Sequence, residues 1–411
     1  MSDRTKKILF AIVFILISLG MGYVVYWMLF PPTKAPITAV NTPDLTGTFP
    51  TAGQGSTSTV TTAPQPGILP PSATVPTVTI PAAQATLQTG TNLIRLGITQ
   101  AVSPSADKNG ARFYNPEDGR FYKTTKDGTI TSLGDKQFYN VDKVSWANTK
   151  DNAIITTGDG SKLYYNFDTK QQVTLPSHWD EFQFSPSDNQ VAAKSLGTDE
   201  FNRFLIVSNP DGTEAHAVQD LGNNADKVHV AWTPSSQVVA WTTTGDPVGG
   251  NQQQILFVGQ HQENFNSLIA PGQGFLPNWS PSGNRLLFSV WMPEDGNKPS
   301  IWLSAGDTTN MGANRKKLGL NTWADKCTWA DENEIICAVP QNLPDNSGLM
   351  RSEFDKLPDD VYRVDLTTGS ATKINSADQN YSIKSPVISG DKSKLLFTDA
   401  QSGSLYSYDL K

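Results

Sequence analysis

Two cysteines, four histidines and a few acidic pairs are the residues of this 411-residue chain whose types could support chemistry. His178, His216, His229 and His261 fall in separate stretches, with neither the H-x-x-x-H nor the H-E-x-x-H spacing that sets two imidazoles on one zinc ion. They read as turn or surface residues. The carboxylates of Asp180-Glu181 and Asp359-Asp360 could bind calcium or divide the work of acid and base, but only if the fold makes them converge; otherwise they are solvated turns. Pro344-Asp345-Asn346-Ser347-Gly348 has the residue types of a calcium loop without the EF-hand register or its terminal glutamate. Gly158-Asp159-Gly160-Ser161 and Gly272-Gln273-Gly274 lack the lysine spacing and the strand-to-helix setting of a phosphate loop. No G-x-S-x-G nucleophile elbow and no complete sialidase box occurs. No catalytic residue, metal ligand or cofactor is assigned.

Cys327 and Cys337 flank a segment in which Trp329 opens a turn and Glu334-Ile335-Ile336 begins a returning strand. A hairpin centred on Glu332 sets the two cysteines opposite each other, about 4.5 Å apart at Cα when the pair is not hydrogen-bonded. In an oxidising compartment they are candidates for a disulfide. The alternative is two buried thiols packed as small hydrophobes.

The elements that would hold these residues differ along the chain. Residues 8–30 are a charge-free apolar run, preceded by Arg4, Lys6 and Lys7 and bearing Tyr23, Tyr26 and Trp27 near its far end. At about 1.5 Å per residue it reaches roughly 34 Å, enough to cross a bilayer core as one helix. The basic flank places residues 1–7 in the cytoplasm and the remainder outside. A cleaved signal peptide would have a shorter apolar region followed by small residues. Residues 31–90 carry only Lys34 and Asp44 as charges and eleven prolines among Thr, Ser, Ala and Gly, the composition of a disordered spacer. Residues 91–411 hold the remaining 28 basic and 37 acidic residues, net −9, which disfavours nucleic acid and anionic membrane surfaces.

Within 91–411 a short pattern recurs: an aromatic or apolar residue, a small polar one, often proline, then a turn and a β-rich run. The copies are Val102-Ser103-Pro104-Ser105, Val144-Ser145-Trp146-Ala147, Phe184-Ser185-Pro186-Ser187, Trp232-Thr233-Pro234-Ser235, Trp279-Ser280-Pro281-Ser282-Gly283, Trp329-Ala330-Asp331 and Ile388-Ser389-Gly390-Asp391. Four strands per repeat of about 45 residues is the arithmetic of one propeller blade. The chain ends after the third strand of the seventh copy, while Asn92 to Leu96 has the character of an outer strand. Joining the two would close the ring and cover an open edge.

The W/F-S-P-S/D-G repeat resembles the TolB-like (PD40, WD40-like) propeller repeats, found also in the propellers of dipeptidyl-peptidase IV and prolyl-oligopeptidase relatives. The resemblance implies an all-β, seven-bladed propeller, with six or eight blades as alternatives. It implies that the repeat tryptophans Trp146, Trp232, Trp279 and Trp329, with Phe184, pack between blades. The hydrolase domain of those peptidases has no counterpart in the sequence.

In a propeller the loops from outer to next inner strand, and from second to third, share one face. The longest inserts, Gly245 to Gln253, Met292 to Pro299 and Gln341 to Leu357, fall there. So do the aromatics Phe138, Trp179, Phe275, Trp323 and Tyr381, which form a contact rim if exposed and a cap on the ring if they pack on one another. The expectation is a membrane-anchored, extracytoplasmic binding or scaffolding module with a protein or peptide partner in the cell envelope. An envelope enzyme cleaving a glycan or peptide in the channel, and a sensor of an extracellular ligand, are the alternatives.

Overall fold

The computed structural model describes residues 93–410, apart from 126–127, 247, 250, 264 and 375–380. The apolar run at 8–30 and the spacer at 31–90 lie outside the described residues. Among the described residues no helix is long and apolar enough to cross a membrane.

The strands form seven four-stranded antiparallel sheets, each a simple meander from an innermost to an outermost strand. Six are contiguous, spanning 100–132, 141–175, 179–220, 228–270, 273–317 and 327–374. The seventh combines Ile383–Ile388, Lys394–Asp399 and Ser404–Asp409 with Leu93–Ile98 as its outer strand. Leu93 pairs with Tyr408, Ile94 with Ser407, Arg95 with Tyr406 and Ile98 with Ser404. The register shift between Arg95 and Ile98 is accommodated at Gly97, whose φ of +107° suits a residue without Cβ.

Among the described residues no single core exists. Seven hydrophobic clusters are present, and each straddles one seam between consecutive blades. The cluster holding Leu96, Phe113, Val387 and Leu405, for example, joins the seventh blade to the first. This explains why a second strand such as Val238–Thr242 is buried on both faces and apolar almost throughout. It is covered by a blade on either side. Phe184, Trp232 and Trp329 are buried members of the seams, and Trp146 and Trp279 pack against them half-buried.

The repeated small polar residue closes the turn after the innermost strand in five of the seven blades. The hydroxyls of Ser105, Ser185, Thr233, Ser280 and Ser389 accept the amide five residues on, at 2.9, 3.1, 3.1, 3.1 and 3.0 Å. The backbone bond that closes the same turn, from the amides of Ser105 and Ala147 to the carbonyls of Gly110 and Asn152 at 2.9 Å each, corrects the register of the first two sequence copies. The first turn is built on Ser105 rather than Ser103, and the second on Ala147 rather than Ser145. A slip of two residues preserves the in–out alternation of a strand, so alternation alone could not separate the two readings.

Candidate functional site

An antiparallel meander sends its connections to two ends. The serine turns and the third-to-fourth connections occupy one end, the turn face. The second-to-third and fourth-to-first connections occupy the other, here called the rim face. All five aromatics singled out from the sequence lie at the rim face, at or before the start of an innermost strand. They are not exposed there. Trp179, Phe275, Trp323 and Phe138 are 2%, 5%, 5% and 6% accessible, and Tyr381 is half-buried.

Phe138, Trp179, Phe275 and Tyr381 are wedges between blades, whereas Trp323 lies beneath Arg351. Phe138 packs edge-on against Phe121 of the first blade and Tyr165 of the second, with centroids 5.3 and 5.0 Å away. Phe275 stands between Trp241 of the fourth blade and Phe288 of the fifth, at 5.1 and 5.4 Å. Tyr381 packs on Phe397 and Tyr406 at 5.9 and 4.6 Å. Burying such a ring contributes about 1.5–3 kcal/mol, and the gap between diverging blades provides the room. Among the described residues the large apolar side chains that do remain exposed are others: Tyr139, Phe201, Leu349 and Met350, at 69%, 81%, 51% and 46%. Every one is in a rim-face connection. Two of them fall inside the 341–357 insert that the sequence marks by length. Tyr139 follows a buried Phe138 and so points the other way, and nothing in the sequence distinguishes Phe201.

The 341–357 insert is fastened across the rim face. Its short helix, Arg351–Phe354, docks through Arg351, which lies 5.1 Å above the Trp323 ring and bonds Asp325 at 2.6 Å and Asp355 at 3.2 Å. Toward the fifth blade, the amides of Asn346 and Gly348 donate to the carbonyls of Gly296 and Asn297 at 2.7 and 2.8 Å, and Lys298 pairs with Asp345. Toward the seventh blade, Gln401 donates to the carbonyl of Lys356 at 3.1 Å. The calcium-like residues 344–348 thus serve as a tie between inserts.

Beside this strap, at the channel mouth, is a cavity of about 590 Å³. Strap residues Ser352, Asp355 and Lys356 meet the seventh blade at Lys384 and Ser385, the first at Gln100 and Ala101, and the second at Val141 and Asp142. Ala101 and Ser385 hold φ of +52° and +50° within bulges of their innermost strands. The same bulge recurs in the innermost strands of the third and fifth blades, where Glu181 and Gly274 hold φ of +55° and +70°.

Further along the channel wall, Glu181 pairs with Lys194 at 2.5 Å, accepts the Val230 amide at 3.0 Å and faces His229 Nδ1 at 3.5 Å. Burial works against its charge, but hydrogen bonds from His229 and Lys194 outweigh that and hold the carboxyl below its usual value. The pair Asp359-Asp360 does not converge. Strand alternation turns Asp359 inward onto Lys326, with both oxygens at 2.8 Å, and Asp360 outward onto Lys373 at 2.8 Å. Burial pushes Asp359 up to about 6 despite the opposing pull of Lys326. Cys327 faces Cys337 across the first two strands of the sixth blade, and the two are joined as a disulfide with their Cα atoms 4.0 Å apart. Among the described residues no group of three or more His, Cys, Asp and Glu could hold a metal ion.

No protein-family model and no curated protein matches the sequence. Similarity appears among solved structures. One is an oligogalacturonate lyase in complex with manganese, 12% identical, covering 79% of this chain and 94% of its own, with a TM-score of 0.55. Another is the β-propeller domain of Cps50 (Swd1) from Myceliophteria thermophila, 10% identical, covering 78% and 98%, with a TM-score of 0.52. At such identities what is shared is the architecture, and the described part of this chain is a seven-bladed β-propeller.

Proposed function

We propose that this protein is a membrane-anchored propeller, displayed outside the cytoplasm, that binds a protein partner with its rim face. One observation carries the reading: Tyr139, Phe201, Leu349 and Met350, the large apolar side chains left exposed among the described residues, all lie on that face. Exposed apolar groups in polar surroundings are what protein interfaces use as anchors. The net charge of −9 over 91–411 suits a partner whose apolar patch is bordered by lysine or arginine. The anchor rests on the apolar run at 8–30 and its basic flank.

The test is site-specific photo-crosslinking in the full-length protein, with the probe at positions 139, 201 and 350 and, on the turn face, at 170. The reading expects one common protein adduct from the three rim positions and none from 170. With that protein purified, Phe201→Asp should weaken binding by about tenfold or more, as loss of a buried aromatic anchor does. Identical adducts from both faces, or unchanged affinity in Phe201→Asp and Met350→Asp alike, would overturn it.

A further inference from the structure

A second cavity, of about 340 Å³, opens on the rim face of the third blade and shares no residue with the one beside the strap. It is shaped by the connection between strands Val191–Leu196 and Arg203–Ser208. The Leu196 amide donates to the His178 carbonyl at 2.8 Å, and the Gly197 amide to the Asn202 carbonyl at 3.0 Å. The chain passes so close to itself there that a Cβ on Gly197 would come within 2.5 Å of the Asn202 carbonyl oxygen. Arg203 turns its guanidinium back onto the carbonyls of Gly197 and Thr198, at 3.2 Å each. The hollow is therefore formed by the chain's own bonds before anything enters it.

Its lining is apolar at Leu196 and Phe204, with Ser195 set deeper between Trp179 and Phe204 on the neighbouring strands. Ser195 is only 3% accessible, and its hydroxyl lines the cavity without a hydrogen bond to any described residue. At the mouth, between the lining residues Thr198 and Asn202, the connection carries Asp199 and Glu200. Neither has an ion-pair partner among the described residues, and the adjacent cation, Arg203, is engaged with backbone carbonyls. The next residue, Phe201, projects outward at 81% exposure. A knob, a hollow with one waiting hydroxyl, and two carboxylates thus share one short connection.

We propose that this hollow receives a tyrosine side chain of the protein partner, its ring between Leu196 and Phe204 and its phenol on Ser195, with a lysine or arginine beside that tyrosine held by Asp199 and Glu200. The inference rests on the rim-face reading and names the chemistry that the face recognises. An aromatic ring fills apolar walls, and a buried phenol needs a partner that a serine hydroxyl supplies as donor or acceptor. Phenylalanine would fill the same walls but leave Ser195 cut off from water and unpaired. An acidic neighbour would meet two like charges, which excludes the wrong segment as well as favouring the right one. Phe201 enters the partner in the opposite direction, so an anchor on each side sits beside a pocket for the other.

The experiment is fluorine NMR of trifluoroacetylated tetrapeptides titrated with the full-length protein in detergent micelles, with empty micelles as the blank. The probes are Gly-Tyr-Lys-Gly, Gly-Phe-Lys-Gly, Gly-Ala-Lys-Gly and Gly-Tyr-Glu-Gly, each as the amide. The Tyr-Lys peptide should bind saturably, and the Phe-Lys peptide about threefold to tenfold more weakly, the loss of one net hydrogen bond. The Ala-Lys and Tyr-Glu peptides should bind more weakly than either. Ser195→Ala should erase the preference for Tyr-Lys over Phe-Lys without lowering the melting temperature, since the hydroxyl holds no other described residue. Asp199→Asn combined with Glu200→Gln should bring Tyr-Lys and Tyr-Glu level, and Lys170→Gln, on the turn face, should change nothing. No saturable binding of the Tyr-Lys peptide, equal binding of the Phe-Lys peptide, or a tyrosine preference that survives in Ser195→Ala would each overturn the proposal. A common protein adduct at 139, 201 and 350 without peptide binding would sink the hollow and leave the rim-face reading standing, and peptide binding without that adduct would do the reverse.

Discussion

At the scale of single residues, the hydroxyl of Ser280 shows how little chemistry a blade needs to set its turn. It is fully buried, accepts the Arg285 amide at 3.1 Å, and its own amide donates to the Arg285 carbonyl at 2.9 Å. Ser280→Ala strands a buried donor, a loss of about 1–3 kcal/mol. Ser282→Ala, at a more exposed position of the same turn, should remain within about 0.5 kcal/mol. Urea denaturation of both variants checks this. Asp359 gives a prediction in pH. Its folded value of about 6 lies above the ordinary 3.8, so the folded state holds this proton more tightly than the unfolded chain. The contribution to stability is therefore complete below pH 4 and is lost as pH rises through 6. The stability of wild type relative to Asp359→Asn should fall between pH 4 and pH 7. A difference that stays level or grows would contradict the assigned cause. The serine turns were legible in the sequence because hydroxyl, proline and glycine have narrow uses. The environment of Asp359 was not, because its partner Lys326 is 33 residues away and the amide it accepts, that of Ile383, belongs to the next blade.

At the scale of elements, the strap joins sequence to site. The length of the 341–357 insert marked it, but its course could not be read, because its ties lead to Gly296, Asn297 and Gln401 in other blades. Two substitutions separate its fastenings. Arg351→Ala removes the contact with Trp323 and both carboxylates, so the helix should be cut by protease well before the rest of the domain, with little change in global melting. Gly348→Ala acts differently. A Cβ there would come within 2.5 Å of the Trp291 side chain and 2.6 Å of the Asn297 carbonyl, so the strap must lift off the fifth blade. Cleavage at the strap should then rise even with Arg351 intact. Equal protease resistance in both variants and wild type would show that the strap is held by something else. Whether the rim aromatics are exposed or packed stayed open in the sequence for a related reason. Phe138 and Phe275 follow loops, and loops usually mean surface, but the wedge between two diverging sheets is visible only once the blades are placed side by side.

At the scale of the whole molecule, the ring depends on a contact between its two ends, and that contact was legible. A blade missing one strand at the C-terminus and a spare strand before the first full repeat leave few other ways to complete the hydrogen bonding. The seven seam clusters make the same point energetically. With no central core, each blade depends on its neighbours, and opening any seam exposes two apolar sheet faces. A chain starting at residue 91 should therefore melt in one cooperative transition. A chain starting at residue 99 lacks Leu93–Ile98, so Ser404–Asp409 becomes an open edge and the seam holding Leu96, Phe113 and Leu405 loses one of its buried members. This shorter chain should bind a hydrophobic dye, aggregate through the bare strand and melt broadly. Supplying residues 91–99 as a free peptide should restore part of the lost transition, because the pairing of Leu93 with Tyr408 and Ile98 with Ser404 needs no covalent link to the first blade. If the shorter chain melted as sharply as the longer one, the ring would be held by its seams alone and the terminal strand would be decoration.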